Sequence, residues 1–415
     1  MTLGYILSRY PLLSETFILR EMWEVERQGH TVNVYALRVV AGSKRHPRAA
    51  RLRARVVVPG WVNLRAHAHW LRRRPRAYLA TLAAALWHNR QDLNLWLGAV
   101  AYWGKAVAIA ARLEADGVER LHAHYATHPA LVAYVAHRLT GVSFSFTVHA
   151  HDIFCHQAML PQKLAAAERV VAISRYNRTH LLATVPAAER EAVQGKIAVV
   201  HCGVEVMPLA AAARALPAAA VRPLRLLAVG SLQAYKGHRH LIEACALLQQ
   251  AGQRWECRII GGGPLQAGLS TQIHRLGLAS AAGGGVHLAG PADEDEVRAA
   301  LAWADVFVMP SIVMPRTGQM EGIPVALMEA MAAGRAVVAS RISGIPELIE
   351  DGVEGLLVPP GDAGALAAAA ARLQDAGLRQ RLGVAARRRV EQEFELSTSV
   401  TQLLAVWGVT HEVAA

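Results

Sequence analysis

Thirteen short apolar runs alternate with Ala/Leu-rich helical segments along this chain, and the alternation breaks once, at the Ala/Pro-rich stretch 207–223. Strands that alternate with helices pack as parallel sheets covered on both faces. Before the break the runs are TLGYILS, TVNVYAL, ARVVV, RLHAH, SFSFTVHA, RVVAIS and KIAVVH. After it the series restarts with RLLAVGS, WECRIIGG, VHLAG, DVFVMPS, AVVAS and GLLVPP. The implied fold class is α/β, with two doubly wound domains in tandem and a cleft between them. Ligands in such sheets sit at the carboxyl ends of the strands. The expected boundaries are 1–206 for the first domain, 207–223 for a linker and 224–385 for the second domain. Residues 386–415 are expected to form C-terminal helices that pack back toward the first domain.

A chain of 415 residues is long enough for two cores. Cys155, Cys202, Cys245 and Cys257 are scattered, without CxxC or zinc-ligand spacing, and read as reduced thiols. The N-terminus lacks a basic segment followed by an apolar one, so no signal peptide is expected. The apolar stretch from Leu95 is interrupted by Lys105 and reads as a buried helix rather than a membrane span. These features point to a cytoplasmic protein.

The net charge of +12 is uneven: residues 1–205 hold 26 Lys/Arg against 13 Asp/Glu, and residues 206–415 hold 18 against 19. The excess concentrates in KRHPRAARLRAR from Lys44 and RAHAHWLRRRPR from Arg65, with Trp61, Trp70 and Tyr78 nearby. Peripheral attachment to an anionic membrane surface and an ordinary solvated basic face both fit this patch, and the membrane ranks above nucleic acid. No nucleic-acid-binding motif accompanies the patch, so no nucleic acid is expected as a partner.

The stretch Glu321-Gly-Ile-Pro-Val-Ala-Leu-Met-Glu329 sets two carboxylates eight residues apart around a Gly-Ile-Pro turn. Pro324 suits a helix's first turn and Gly334 its end. A wholly helical stretch would separate the carboxylates by roughly 12 Å on nearly one face, about the reach from sugar to ribose in a nucleotide-sugar. The helix N-terminus offers free N–H groups to a diphosphate. A second cradle is the turn after LLAVG230, where Gly230, Ser231, Lys236 and Gly237 precede a helix. IIGGGPL, with Gly263, is a third close-approach turn or simply a tight connection. Asp293 and Asp295 in GPADEDEV read as helix-dipole caps, not as metal ligands.

In order, these segments resemble the retaining glycosyltransferases of family 4, which adopt the GT-B fold of two Rossmann-like domains. The resemblance covers most of 1–390 and is densest at 225–362. It implies that Glu321 contacts the transferred sugar and Glu329 the ribose, with Gly322, Ile323 and Pro324 beside the sugar and diphosphate. Ser343 and Gly344 resemble the family's next loop, in a structural role. VHAHDIF resembles the family's His-Gly-x-Asp element, making His149 the imidazole near the sugar and Asp152 its neighbour or a loop cap. His122 and His124 fall similarly after a strand. SRYPLLSETFILREM resembles members that build exopolysaccharide or lipopolysaccharide; Ser14, Glu15 and Thr16 would touch acceptor or diphosphate, or cap the following helix. Two departures stand out. Ser231 replaces the arginine of the family's Gly-Arg-Leu turn, leaving Lys236 to work with amides alone or with Arg175 or Arg316. The first loop also lacks the Gly-Gly of many relatives.

The resemblance implies a metal-independent, cofactor-free, retaining transfer of a hexose from a nucleotide diphosphate sugar, UDP-linked by preference. The acceptor would be a lipid-linked or growing glycan. Two alternatives remain at this level: another GT-B enzyme acting on nucleotide-sugars, or a catalytically weak, membrane-docked binding subunit.

Overall fold

The computed structural model of the chain describes residues 1–12, 15–40, 47–60, 63–90, 93–155, 157–210, 222–279 and 284–409. The chain divides into two compact units, Met1–His201 with the stretch from Val400, and Cys202–Ser399.

The first unit holds seven parallel strands: β1 Thr2–Leu7, β2 Thr31–Ala36, β3 Arg55–Val57, β4 Arg120–His124, β5 Ser143–Val148, β6 Arg169–Ala172 and β7 Ile197–Val199. Their order is β3-β2-β1-β4-β5-β6-β7. The second unit holds six: β8 Leu224–Val229, β9 Trp255–Ile260, β10 Val286–Gly290, β11 Val306–Met309, β12 Ala336–Ser340 and β13 Leu356–Val358. Their order is β10-β9-β8-β11-β12-β13, again all parallel. All thirteen expected runs form strands. Their near-continuous apolar character follows from helices covering both faces: all of β11, Val306 to Met309, is buried, as are Leu3, Tyr5, Ile6 and Leu7 of β1. In each unit the strand order reverses beside the first strand, between β1 and β4 and between β8 and β11. A doubly wound sheet opens its ligand crevice at such a point.

The divisions differ from those expected. The second unit begins at Cys202, before the presumed linker. Val204 N donates to Phe394 O (2.9 Å) and accepts from Leu396 N at its own carbonyl (3.0 Å), while Val206 and Leu209 join the second core. Part of the expected linker is a short helix, Val206–Ala210; residues 211–221 lie outside the described residues. Helix Ala376–Glu393 runs through the boundary placed at 385, and its Ala386 and Val390 are buried in the second core with Phe394. Composition could not reveal this, because apolar contacts rather than Ala/Pro content decide where a unit ends. From Val400 the chain belongs to the first unit, where the Trp407 ring lies 4.8 Å from that of His122.

The long apolar segment is helix Leu93–Ala115, with Ala106, Val107, Ile109, Ala110 and Leu113 buried. Lys105 is buried too, and its ammonium donates to the Leu37 carbonyl. No described helix is long and apolar enough to cross a membrane. None of the four cysteines is in a disulfide.

Candidate functional site

In the second unit the loop after β8 is shaped by glycine. Gly237 has φ +69°, and a Cβ there would lie 1.8 Å from the Pro310 carbonyl oxygen, so only glycine lets the β8 and β11 loops meet. Gly261 (φ +151°) is constrained in the same way, by Gly230 O at 1.9 Å from any added Cβ. Gly230 N and Leu232 N donate to Ile260 O (2.9 Å) and Gly262 O (3.0 Å), and Ile312 N donates to Tyr235 O (2.8 Å). Three βα loops are thereby stitched at the carboxyl ends of β8, β9 and β11.

Lys236, in the short 3-10 turn Ala234–Lys236, forms an ion pair with Glu321. Both side chains are largely buried. Burial alone would lower the Lys236 pKa, but the Glu321 carboxylate and Tyr235 reverse this and raise it, so the ammonium is firmly charged. The next residue, His238, is 3% exposed; burial, then Lys236, drives its pKa down to about 4. Helix His238–Gln250 starts here, and helix Val325–Ala332 starts just after Glu321. Two helix N-termini and a cation in one unit are suited to a polyanion.

The helix after Glu321 corrects one expectation. Pro324 is its N-cap (φ −71°, ψ 125°), Val325 is the first helical residue, and residues 321–324 are not helical. The two carboxylates therefore do not share one continuous helix. Leu327, Met328, Ala330, Met331 and Ala332 are buried, while Glu329 is half-buried. Gly334 (φ +67°) follows the helix end, as expected. Ser343 adopts φ +49° ahead of the short helix Ile345–Leu348. Arg316, named as a substitute for the missing family arginine, is exposed on the loop after β11. Asp293 caps its helix in a reciprocal box with Glu296, accepting from Asp295 N (3.0 Å) and Glu296 N (2.9 Å).

In the first unit, His122 and His124 end β4 and His149 follows β5. His122 is fully committed, with Nδ1 bonded to Ser145 Oγ (2.8 Å) and Nε2 to Thr147 Oγ1 (2.9 Å). His124 Nδ1 meets His149 Nε2 at 3.1 Å, and its Nε2 meets Glu21 Oε1 at 3.1 Å. Burial, then the His124 ring, pushes His149 well below the usual imidazole range. Asp152 is a loop cap: its carboxylate accepts from Ala126 N (2.8 Å), His149 N (3.1 Å) and Ala150 N (2.9 Å). Asn177 Nδ2 donates to the His149 carbonyl. Phe17 and Tyr125 flank the His149 ring with centroids at 4.9 and 4.8 Å, and Tyr125 holds an uncommon φ of +76°. Glu21, His122 and His124 present ligand-type atoms within 4.8 Å of one another. All four ring nitrogens of the two histidines are already hydrogen-bonded, so this donor set is a proton-sharing network rather than a prepared cation site.

Glu15 is the N-cap of helix Thr16–Arg27 but makes no side-chain capping bond. Its carboxylate accepts from Tyr125 OH (3.3 Å), and burial, opposed by His124, raises its pKa. Thr16 is the first helical residue; Ser14 lies outside the described residues. Arg175, also named as a substitute cation, opens helix Arg175–Thr184 of the first unit.

The Glycosyl transferases group 1 family matches residues 223–376. The putative colanic acid biosynthesis glycosyltransferase WcaL of Salmonella typhimurium is 31% identical over 98% of this chain and 99% of its own length. The chain belongs to the group 1 glycosyltransferases. The amylovoran biosynthesis glycosyltransferase AmsK of Erwinia amylovora is 40% identical over 62% of this chain and 60% of that protein. HepE of Anabaena, solved with UDP and glucose, has a TM-score of 0.69 at 18% identity and covers 98% of this chain and 99% of that one. A glycosyltransferase from Rickettsia africae gives 0.69 at 17% identity, covering 98% and 97%. The fold is GT-B, and the chain is a glycosyltransferase.

Within this transferase, Gly230, Ser231, Lys236, Gly263, Glu321, Gly322, Ile323, Pro324 and Glu329 all fall in the second unit, and His149, Glu15 and Thr16 in the first. Glu21, Tyr125, Asn177 and His238 were not singled out from sequence. Glu21 is an ordinary helix position until β4 is placed beside it. His238, directly after Lys-Gly at a helix start, was the one with a readable signal.

Proposed function

We propose that this transferase moves a hexose, with retention of anomeric configuration and without a metal ion, from a UDP-linked donor to a lipid-linked or growing exopolysaccharide acceptor. The observation that carries the donor half is the Lys236–Glu321 pair at the joined β8 and β11 loops. Lys236, with the loop amides and the helix starts at His238 and Val325, neutralises the diphosphate as it leaves. Glu321 orients the sugar through its hydroxyls, and Glu329 binds the ribose. The acceptor hydroxyl attacks the anomeric carbon from the face the diphosphate leaves; its oxygen bonds to that carbon, the carbon–phosphate oxygen bond breaks, and the departing phosphate takes the hydroxyl proton. No protein nucleophile and no divalent cation enters this scheme. His149 is assigned to a substrate hydroxyl, and Glu15 and Thr16 to the acceptor. The exopolysaccharide assignment leans on the likeness to WcaL and AmsK.

Attachment to an anionic membrane belongs to the same proposal. Helices Leu64–Arg73 and Pro75–His88 expose Leu64, Leu71, Leu79 and Trp87 beside Arg65, Arg72, Arg73 and Arg76. A surface of basic and large apolar side chains suits anionic headgroups over acyl chains. Sedimentation with phosphatidylglycerol vesicles at low salt checks it, and absence of binding would reject attachment.

The transfer itself is tested with a panel of UDP-, GDP- and ADP-sugars and lipid-linked acceptors in EDTA, with product anomers read by NMR. Acceptor-dependent UDP release with an unchanged anomeric configuration is expected. An inverted product, or activity lost in EDTA and restored by a divalent ion, would overturn the mechanism.

A further inference from the structure

Glu21, His124 and His149 come from helix Thr16–Arg27, β4 and the loop after β5, yet they form one line of hydrogen bonds: Glu21 Oε1 to His124 Nε2 (3.1 Å), and His124 Nδ1 to His149 Nε2 (3.1 Å). Tyr5 OH donates to the same Glu21 oxygen at 3.0 Å. A neutral imidazole carries one N–H and one bare nitrogen, and which is which follows from the partners. A carboxylate can only accept, so a neutral His124 carries its proton on Nε2 and leaves Nδ1 bare. That bare nitrogen can only accept in turn, so the His149 proton sits on Nε2. His149 Nδ1 is then the bare atom, and it has no hydrogen-bond partner among the described residues, nor is it sealed from solvent.

We propose that Glu21, acting through His124, is a positioning residue that locks His149 in the tautomer whose Nδ1 accepts a hydrogen bond from a substrate hydroxyl. This rests on the sugar transfer proposed above. The surroundings enclose the relay. His124 is fully buried, and the rings of Tyr5, Phe17, His122 and His149 crowd it at 5.1 to 6.3 Å. His122 cannot divert the line, because Ser145 and Thr147 occupy both its nitrogens. The relay therefore has one polar end at Glu21 and one open end at His149. A helix carboxylate thereby sets the chemistry of a loop it does not touch.

The test is the histidine tautomer, read from long-range proton–nitrogen NMR of protein carrying 15N-labelled imidazoles, with His149→Asn to assign the signals. The expected wild-type spectrum shows His149 protonated on Nε2 and bare on Nδ1. In Glu21→Gln the carboxamide can donate as well as accept, so His149 should become a mixture of tautomers. Tyr5→Phe keeps the carboxylate and should leave the tautomer unchanged. In Glu21→Gln, kcat should fall about fivefold with UDP affinity unchanged, the effect of one misdirected hydrogen bond. Wild-type His149 protonated on Nδ1 would overturn the proposal, as would a Glu21→Gln spectrum identical to wild type. The wild-type spectrum decides the tautomer even if Glu21→Gln does not fold. Failure of the wild-type protein to transfer any sugar would instead count against the proposed function, leaving the tautomer result standing.

Discussion

Both units place their polar centre near the strand-order reversal of a parallel sheet, but the two centres are built from opposite kinds of chemistry. In the second unit a charged lysine faces a glutamate, with glycine loops that bring backbone close. In the first, burial favours uncharged His122 and His149, and the single carboxylate of the relay stands two hydrogen bonds from His149. The same topology thus supplies charge where a diphosphate would have to be neutralised and uncharged directional acceptors where hydroxyls would have to be read. The difference is one of local sequence, since doubly wound geometry opens a crevice without specifying what lines it.

The sharpest way to break this contrast is Glu321→Gln, expected to lower kcat by roughly a thousandfold while the protein still unfolds cooperatively. Near-wild-type turnover would remove Glu321 from the reaction. Lys236→Ala should come next, weakening UDP binding by roughly a hundredfold, as expected for a lost charge-assisted contact; titration calorimetry reads this directly. His149→Ala should lower kcat about tenfold and leave the UDP Kd within about twofold of wild type. A large change in Kd would erase the distinction between the two centres.

The smallest effect concerns stability. Lys163 is buried, donates to the Ala126 and Thr127 carbonyls, and has its pKa lowered from 10.5 to about 7 by burial, opposed by Asp152. Between those values the unfolded chain holds a proton that the folded chain has released, so stability rises with pH across that window and is flat below it. The rise is at most about 1.4 kcal/mol per pH unit. Urea unfolding at pH 7 and pH 9 should show wild type gaining roughly 2 kcal/mol relative to Lys163→Met. Equal gains in both proteins would show that the first unit tolerates the buried charge.

The two centres also differ in how far they could be read before folding. Every strand was legible, because parallel strands buried on both faces leave unbroken apolar runs such as VFVM in β11. The Lys236 and Glu321 loops were legible because their chemistry sits in contiguous motifs, Ser-Leu-Gln-Ala-Tyr-Lys-Gly and Glu-Gly-Ile-Pro. The relay was not, since Glu21, His124 and His149 are brought together only by the pairing of β1, β4 and β5. Two misreadings have physical causes. Pro324 looked like a first helical residue, yet its ψ of 125° holds it just outside the helix as the cap. Residues 207–210 looked like linker by composition, but Leu209 finds apolar partners in the second core.

The most direct test of the central claim is calorimetric titration of UDP in EDTA against wild type, Lys236→Ala and His149→Ala. The account predicts saturable, metal-free binding that His149→Ala retains and Lys236→Ala largely loses. Absence of binding to wild type, or equal affinity in Lys236→Ala, would contradict the assignment of the donor diphosphate to the second unit's loops.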